Sequence, residues 1–182
     1  VDKLLPKVRE QLPNICIVLG NIHASVFHKY YLENKLADYI VHHEGEETML
    51  ELMKVLQHEK NLSELKISMI AGISFLGSKG IPRRNSDRAW INKRALDEMP
   101  FPAWELFPVK QFKPDIRLQG TMKQDENAEV QALPILASRG CPHQCTFCSP
   151  VNTIGRKYRD RTPKSVVDEM EYFYKKWGVT AF

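Results

Sequence analysis

From Leu133 to Phe182 the chain lays out a strand, a cysteine-bearing loop, a helix and the start of another strand. Leu133-Pro-Ile-Leu-Ala137 is an apolar run of strand length. The helix is signalled at both ends, by Thr162 as N-cap, Pro163 at the first helical position and Gly178 just past the last turn. Between them Val166, Val167, Met170, Phe173, Tyr174 and Trp177 recur at helical spacing and predict one apolar face. Gly178-Val-Thr-Ala-Phe182 then begins a strand. Two strands joined through a helix imply parallel pairing. The loop then falls at the carboxyl end of the first strand, where α/β folds place their sites.

Residues 1 to 90 repeat the alternation. Ile15-Cys-Ile-Val-Leu19, ending at Gly20, and Asp38-Tyr-Ile-Val41 suit buried parallel strands. Ile70-Ala-Gly-Ile-Ser-Phe75 predicts a third strand, closed by Gly77 and Gly80. Residues 23–34 are compatible with a short helix. Met49, Leu52, Met53 and Leu56 set a helical period from Glu46 to about His58, with Glu44, Glu46 and Glu47 near its positive end. The expected architecture is a parallel sheet with helices on its faces. Between the two α/β segments, residues 91–130 hold Pro100, Pro102, Pro108 and Pro114 and then a polar run from Gln119 to Glu129. That composition predicts an irregular crossing followed by a mobile loop, with Met99-Pro-Phe-Pro-Ala-Trp-Glu-Leu-Phe-Pro108 packed across a domain surface.

Hydrophobic residues at 43% and charged residues at 26% exclude a disordered or collagen-like chain. No apolar run approaches the ~20 residues of a membrane span, and no signal peptide opens the sequence. A net charge of +4, dispersed along the chain, gives no ground for nucleic-acid binding. Three of the four cysteines fall within eight positions, a clustering that points to metal chemistry in a reducing, cytoplasmic compartment. The chain opens on Val1 rather than Met and ends early in a strand, so it is expected to be a piece of a longer protein.

Cys141, Cys145 and Cys148 form C-x3-C-x2-C. Three thiolates on one short loop suit a soft metal centre. A closed zinc site needs a fourth ligand, for which His143 sits awkwardly between two of the cysteines. A disulfide leaves one thiol over, and Cys16 lies far away on an apolar strand. The reading that remains is a three-cysteine iron–sulfur cluster with one iron open. A zinc-stapled interaction module is the non-enzymatic alternative.

With Phe147 directly before the third cysteine and Ser138-Arg-Gly140 ahead of the first, this loop resembles the signature of radical S-adenosylmethionine enzymes. Ile17-Val-Leu-Gly-Asn-Ile-His-Ala-Ser25 and Asp38-Tyr-Ile-Val-His-His-Glu-Gly-Glu-Glu-Thr48 resemble the later half of the cobalamin-binding domain that precedes many such barrels. The stretch 99–108 and Gly155-Arg-Lys-Tyr-Arg-Asp-Arg-Thr-Pro163 look like the same cobalamin-dependent subfamily.

The resemblance implies a partial Rossmann-like, cobalamin-binding-like sheet over 1–90, a linker over 91–130 and the first βα unit of a partial TIM-like barrel over 131–182. It implies a 4Fe–4S cluster on Cys141, Cys145 and Cys148, with S-adenosylmethionine chelated through its amino and carboxylate groups and its adenine near Phe147. It further implies cobalamin near Gly20, Asn21 and His23, a small organic substrate, and an electron donor such as flavodoxin or ferredoxin. The expected reaction is reductive cleavage of S-adenosylmethionine for methyl transfer, rearrangement or cyclisation, with the piece alone inactive. A non-binding, degenerate cobalamin fold is the second reading. Two positions depart from the family pattern: Asn21 and His43 stand where glycine is usual.

Other residues have plainer readings. His23 suits a turn, and adjacent His42 and His43 would point apart on a strand. The dipole of the following helix accounts for Glu44, Glu46 and Glu47. Arg156, Lys157, Arg159 and Arg161 read as a solvated basic loop, and Arg139 as a guanidinium able to hold local acceptors or a cofactor carboxylate. Trp90, Trp104 and Trp177 read as packing residues.

Overall fold

Ile40 and Val41 are consecutive residues of one strand, β2 (Tyr39–Val41), yet they belong to two different apolar cores. Successive side chains of a strand point to opposite faces, so this sheet is covered on both sides. The computed structural model describes residues 2–58, 63–108, 132–149 and 151–182. They form two compact units, Val1–Ile91 with Gly140–Lys157 and Asn92–Arg139 with Tyr158–Phe182.

In the first unit, α1 (Leu4–Gln11), α2 (Asn21–Val26) and α3 (His28–Glu33) supply Leu5, Ala24, Tyr31 and Leu32 to the Ile40 core. On the other face α4 (Glu46–His58) and α5 (Glu64–Ser68) supply Leu52 and Ile67 to the Val41 core. The helix over Glu46–His58 is the one expected. Its inward stripe is Leu52 with Val55 and Leu56, whereas Met49 and Met53 face outward. Helix α1 has no side-chain cap, whereas α5 is capped by Ser63 and opens on Glu64; neither helix was anticipated from the sequence.

The sheet runs in the order β1 (Val18–Leu19), β2, β3 (Ile73–Leu76), β4 (Pro82–Arg84). β1 pairs parallel with β2, as expected, with Val18 opposite Tyr39. The all-parallel expectation fails beyond that point. β3 runs antiparallel to β2, with Ile40 opposite Ser74, and β4 antiparallel to β3. β3 ends at Leu76, as expected, and Gly77 and Gly80 turn the chain into β4. The Gly80 N–H donates to the Gly77 carbonyl at 2.8 Å and the Gly77 N–H to the Ile81 carbonyl at 3.0 Å, with Gly80 at φ +72°. The result is a mixed α/β sheet closed by a hairpin.

In the second unit, Asn92 caps α6 (Lys93–Glu98) by accepting from the Ala95 N–H at 3.0 Å, so a helix begins where proline content predicted irregular chain. A 3-10 turn over Trp104–Leu106 follows, and Phe101 and Trp104 pack against the core of Leu133, Phe173 and Val179. The polar run predicted to be a mobile loop lies outside the described residues. The predicted strand 133–137 pairs only at its ends: beside an Ala132–Ala181 parallel bridge, the Leu133 N–H donates to the Ala181 carbonyl at 3.1 Å, and the Ala137 carbonyl accepts from the Arg161 N–H at 2.9 Å. Pro134 has no N–H with which to continue that ladder. β5 (Ser138–Arg139) instead pairs antiparallel with β6 (Arg159–Asp160).

The last helix, α8 (Pro163–Trp177), carries the anticipated caps. Thr162 Oγ1 accepts from the Ser165 N–H at 3.2 Å, and Gly178 ends the helix at φ +68°. Its inner face is narrower than predicted: Phe173 is buried, while Val167 and Tyr174 are exposed. Glu169 takes an inward position and is bonded by Arg161. Among the described residues no helix is long and apolar enough to cross a membrane.

Candidate functional site

The cysteine loop is closed at its base. Gly140 at φ +85° and Gly155 at φ +74° turn the chain, and the Cys141 N–H donates to the Gly155 carbonyl at 3.1 Å. Between them a turn brings the Cys148 N–H to the Cys145 carbonyl at 3.2 Å. After the loop, α7 (Val151–Ile154) lies beside α2 in the same unit. Arg156 donates to the His143 carbonyl at 3.0 Å and ties down the middle of the loop. All three thiols are free, with Cys145 exposed and Cys141 and Cys148 half-buried. Among the described residues no three metal-ligating side chains are gathered around one point. The donor set nonetheless fits a thiolate-bound cluster, because three reduced thiols share one loop with no disulfide between them. Such loops are drawn together by the metal they bind.

Phe147 is 89% exposed at the tip of the turn. Arg139 is half-buried on β5, opposite Arg159. The basic run that follows is not a solvated loop throughout. Arg159 is buried, and Arg161 donates to the buried Glu169 carboxylate, to Ser165 and to the Leu136 carbonyl.

Two loops stand at the carboxyl ends of the parallel pair β1 and β2. After β1, Gly20 is extended and Asn21 enters α2 at φ +70°, with its Oδ1 accepting from the Ile22 N–H at 2.6 Å. His23 is exposed, its Nδ1 lies 3.0 Å from the Tyr31 hydroxyl and its ring packs on Phe27. After β2, His43 stands at φ +57°. Both departures from the family's glycines therefore keep a backbone conformation that glycine adopts most easily. Asn tolerates it well and His less so. Gly45 has no room for a side chain, since a Cβ there would lie 2.8 Å from Val41 Cγ1.

His42 and His43 follow β2 rather than lie on it, and their rings stand 6.2 Å apart, so the divergence expected of strand neighbours is not found. His42 is 1% exposed, and its Nε2 lies 2.7 Å from Ser74 Oγ. Its Nδ1 is buried without a hydrogen-bond partner. Burial chiefly, then Arg84, His28 and His43, with Asp87 opposing, push its pKa down to about 4. His43 turns outward, its Nε2 3.3 Å from Asp87 and its ring edge-on to Trp90 at 5.0 Å. Glu44 does more than oppose a helix dipole, since its buried carboxylate accepts from the Ile91 N–H at 2.9 Å. Sequence reasoning missed the part played by Trp90, on whose indole Gly155 packs. A glycine at the end of the cysteine loop was the available signal.

No protein-family model matches the chain. Across its whole length it is 33% identical to the anaerobic magnesium-protoporphyrin IX monomethyl ester cyclase of Cereibacter sphaeroides, of which it covers 27%. It is 28% identical to the enzyme of the same description from Synechocystis sp., covering 100% of the chain and 32% of that protein. Over 93% of the chain it is 27% identical to the cytidylyl-2-hydroxyethylphosphonate methyltransferase of Streptomyces wedmorensis, covering 34% of it. The chain thus spans about a third or less of these relatives.

Two solved structures share its fold. One is the cobalamin-dependent S-adenosylmethionine radical enzyme OxsB with aqua-cobalamin and S-adenosylmethionine bound. It matches 98% of the chain and 22% of its own at TM-score 0.67 and 21% identity. The other is the radical S-adenosylmethionine methyltransferase TsrM from Kitasatospora setae with cobalamin and a 4Fe–4S cluster bound. It matches 98% of the chain and 33% of its own at TM-score 0.60 and 18% identity. In fold the chain matches these two radical S-adenosylmethionine enzymes, and in sequence it is related to the cyclases and the methyltransferase above. Its enzymatic relatives are cyclases and methyltransferases.

Proposed function

We propose that this chain carries the cluster loop of an iron–sulfur radical enzyme, with Cys141, Cys145 and Cys148 holding a 4Fe–4S cluster. The observation that carries the reading is three free thiols at C-x3-C-x2-C on a loop closed by the Cys141–Gly155 hydrogen bond. When bound and reduced, such a cluster supplies the electron that cleaves S-adenosylmethionine to a 5′-deoxyadenosyl radical. The cysteine sulfurs give the site its soft donors and fix its place on the loop. Phe147 offers an exposed ring for a nucleobase, and Arg139 a cation for a carboxylate.

The loops after β1 and β2 form the cradle for cobalamin, with Gly20, Asn21 and His23 on one side and His43 to Gly45 on the other. Their fit rests on their place at the carboxyl ends of neighbouring parallel strands. In the full-length enzyme the reaction is methyl transfer to, or cyclisation or rearrangement of, a small organic molecule. The electron comes from a carrier such as flavodoxin or ferredoxin.

Anaerobic reconstitution of the purified chain with iron and sulfide tests the cluster. The expected result is a brown chromophore and bound iron, both lost when any one of the three cysteines becomes alanine. Zinc in place of iron and sulfide would overturn it in favour of a stapled interaction module. Titration with hydroxocobalamin tests the cradle: a shift of the visible bands is expected, and none would mark these loops as scaffold only.

A further inference from the structure

Trp90 and the cysteine loop are far apart in sequence and meet in the first unit. Gly155 is buried, and a Cβ added to it would stand 2.9 Å from Trp90 Cε2, 3.1 Å from Cδ2 and 3.2 Å from Cζ2. The loop backbone therefore lies directly on the indole face, at a distance only glycine permits. The carbonyl of this same Gly155 accepts the Cys141 N–H at 3.1 Å. His43 packs edge-on to the same ring at 5.0 Å, and Asp87 holds the His43 Nε2 at 3.3 Å. His43 keeps this place at φ +57°, a conformation strained for a non-glycine residue, which persists only where its surroundings hold it.

His43 and Gly155, both at positive φ, thus contact one aromatic ring, and Gly155 bonds the first cysteine. Neither the apolar cores nor the sheet use this contact. Trp90 is 38% exposed and lies outside every apolar core cluster of the described residues.

We propose that Trp90 is a positioning residue for the metal loop: braced by His43, it presses on Gly155 and so fixes the main chain of Cys141. The part of this that concerns cluster loading rests on the iron–sulfur reading above. The part that concerns the loop itself stands without any metal. The device ties the strand-β2 loop, which faces the candidate cofactor cradle, to the first thiolate through three contacts.

Amide hydrogen exchange of the metal-free chain provides the direct test, with Cys141 as the reporter and Ile40 in β2 as the control. Trp90→Ala should speed Cys141 exchange by about tenfold or more while leaving Ile40 unchanged, as local opening requires. Trp90→Phe, which keeps a ring against Gly155, should restore most of the protection. Gly155→Ala should open the loop in the wild-type background and open it by less on top of Trp90→Ala, where the clash is gone and only the strain of φ +74° remains. If Trp90→Ala disturbs Ile40 as well, Trp90→Phe and Gly155→Ala decide the matter.

Unchanged Cys141 exchange in these variants would overturn the proposal. In the same series, iron content and the visible spectrum after anaerobic reconstitution are recorded. A wild-type chain that takes up no iron sinks the cluster reading and leaves the exchange result intact. A chain that loads iron normally in every Trp90 and Gly155 variant sinks the cluster-positioning part alone.

Discussion

Lowering the pH from about 7 to about 4.5 should cost the first unit roughly 2 kcal/mol through a single side chain, His42. Its ring is 1% exposed, with Nε2 at 2.7 Å from Ser74 Oγ and Nδ1 facing no acceptor. The hydrogen-bond pattern assigns the neutral tautomer with its proton on Nε2, donating to Ser74. A second proton on Nδ1 would be a buried donor with nothing to receive it, on a ring already facing Arg84, His28 and His43. Hence the pKa falls from 6.5 to about 4.

An unfolded chain binds that proton near 6.5 and the folded chain only near 4, so the neutral ring stabilises the fold above 6.5. The contribution is lost progressively as pH falls towards 4 and levels off below it. At ~1.4 kcal/mol per pH unit between the two pKa values, the loss is bounded near ~3 kcal/mol, of which most has appeared by about pH 4.5. Asp87 does not confuse this window. Burial pushes its carboxyl up, but Arg84 and His43 outweigh that and hold it below its ordinary 3.8. Urea midpoints measured across the range by circular dichroism are the assay, with His42→Gln as the pH-insensitive reference. A wild-type curve parallel to that of His42→Gln would refute the reasoning.

Two further predictions concern stability. The Arg161–Glu169 pair is almost wholly buried, at 11% and 3% exposure of the two side chains. Arg161→Met should cost about 3–5 kcal/mol by stranding a carboxylate. Glu169→Gln should cost only ~1–2, because Ser165 and the Leu136 carbonyl still accept from the guanidinium. Tryptophan-monitored denaturation ranks the two, and the reverse order would refute the assignment. At the turn after β1, Asn21→Ala should destabilise by about 1–2 kcal/mol and Asn21→Gly by almost nothing, as judged by thermal midpoints. Equal midpoints for the two variants would show that φ +70° carries no strain there.

What the amino acids disclosed in advance depended on how local the cause was. The caps of α8 were legible because Thr162, Pro163 and Gly178 act through their own backbone. The thiol trio was legible because its spacing alone specifies soft donors on one loop. Strand direction was not, since an apolar run such as Ile70–Phe75 has the same pattern whichever way it runs. Only Gly77 and Gly80 hinted at the hairpin, and they were read as a stop. The buried role of Arg159 and Arg161 was hidden for a related reason. A run of charges looks solvated until α8 brings Glu169 to Arg161, eight residues away. Trp90 was placed correctly among packing residues, but its partner Gly155 is 65 positions away, and no local signal joins them.

The antiparallel hairpin also decides how this sheet meets its neighbours. β4 forms its rim with Pro82, Arg83 and Arg84, of which the first offers no donor. Arg83 is tethered to Glu64 at 2.8 Å and Arg84 to Asp87 at 2.7 Å. An incoming strand from a second molecule would have to break these tethers and still find a gap in the ladder. Among the described residues the reversal of direction thus ends this sheet on a rim that lacks one backbone donor.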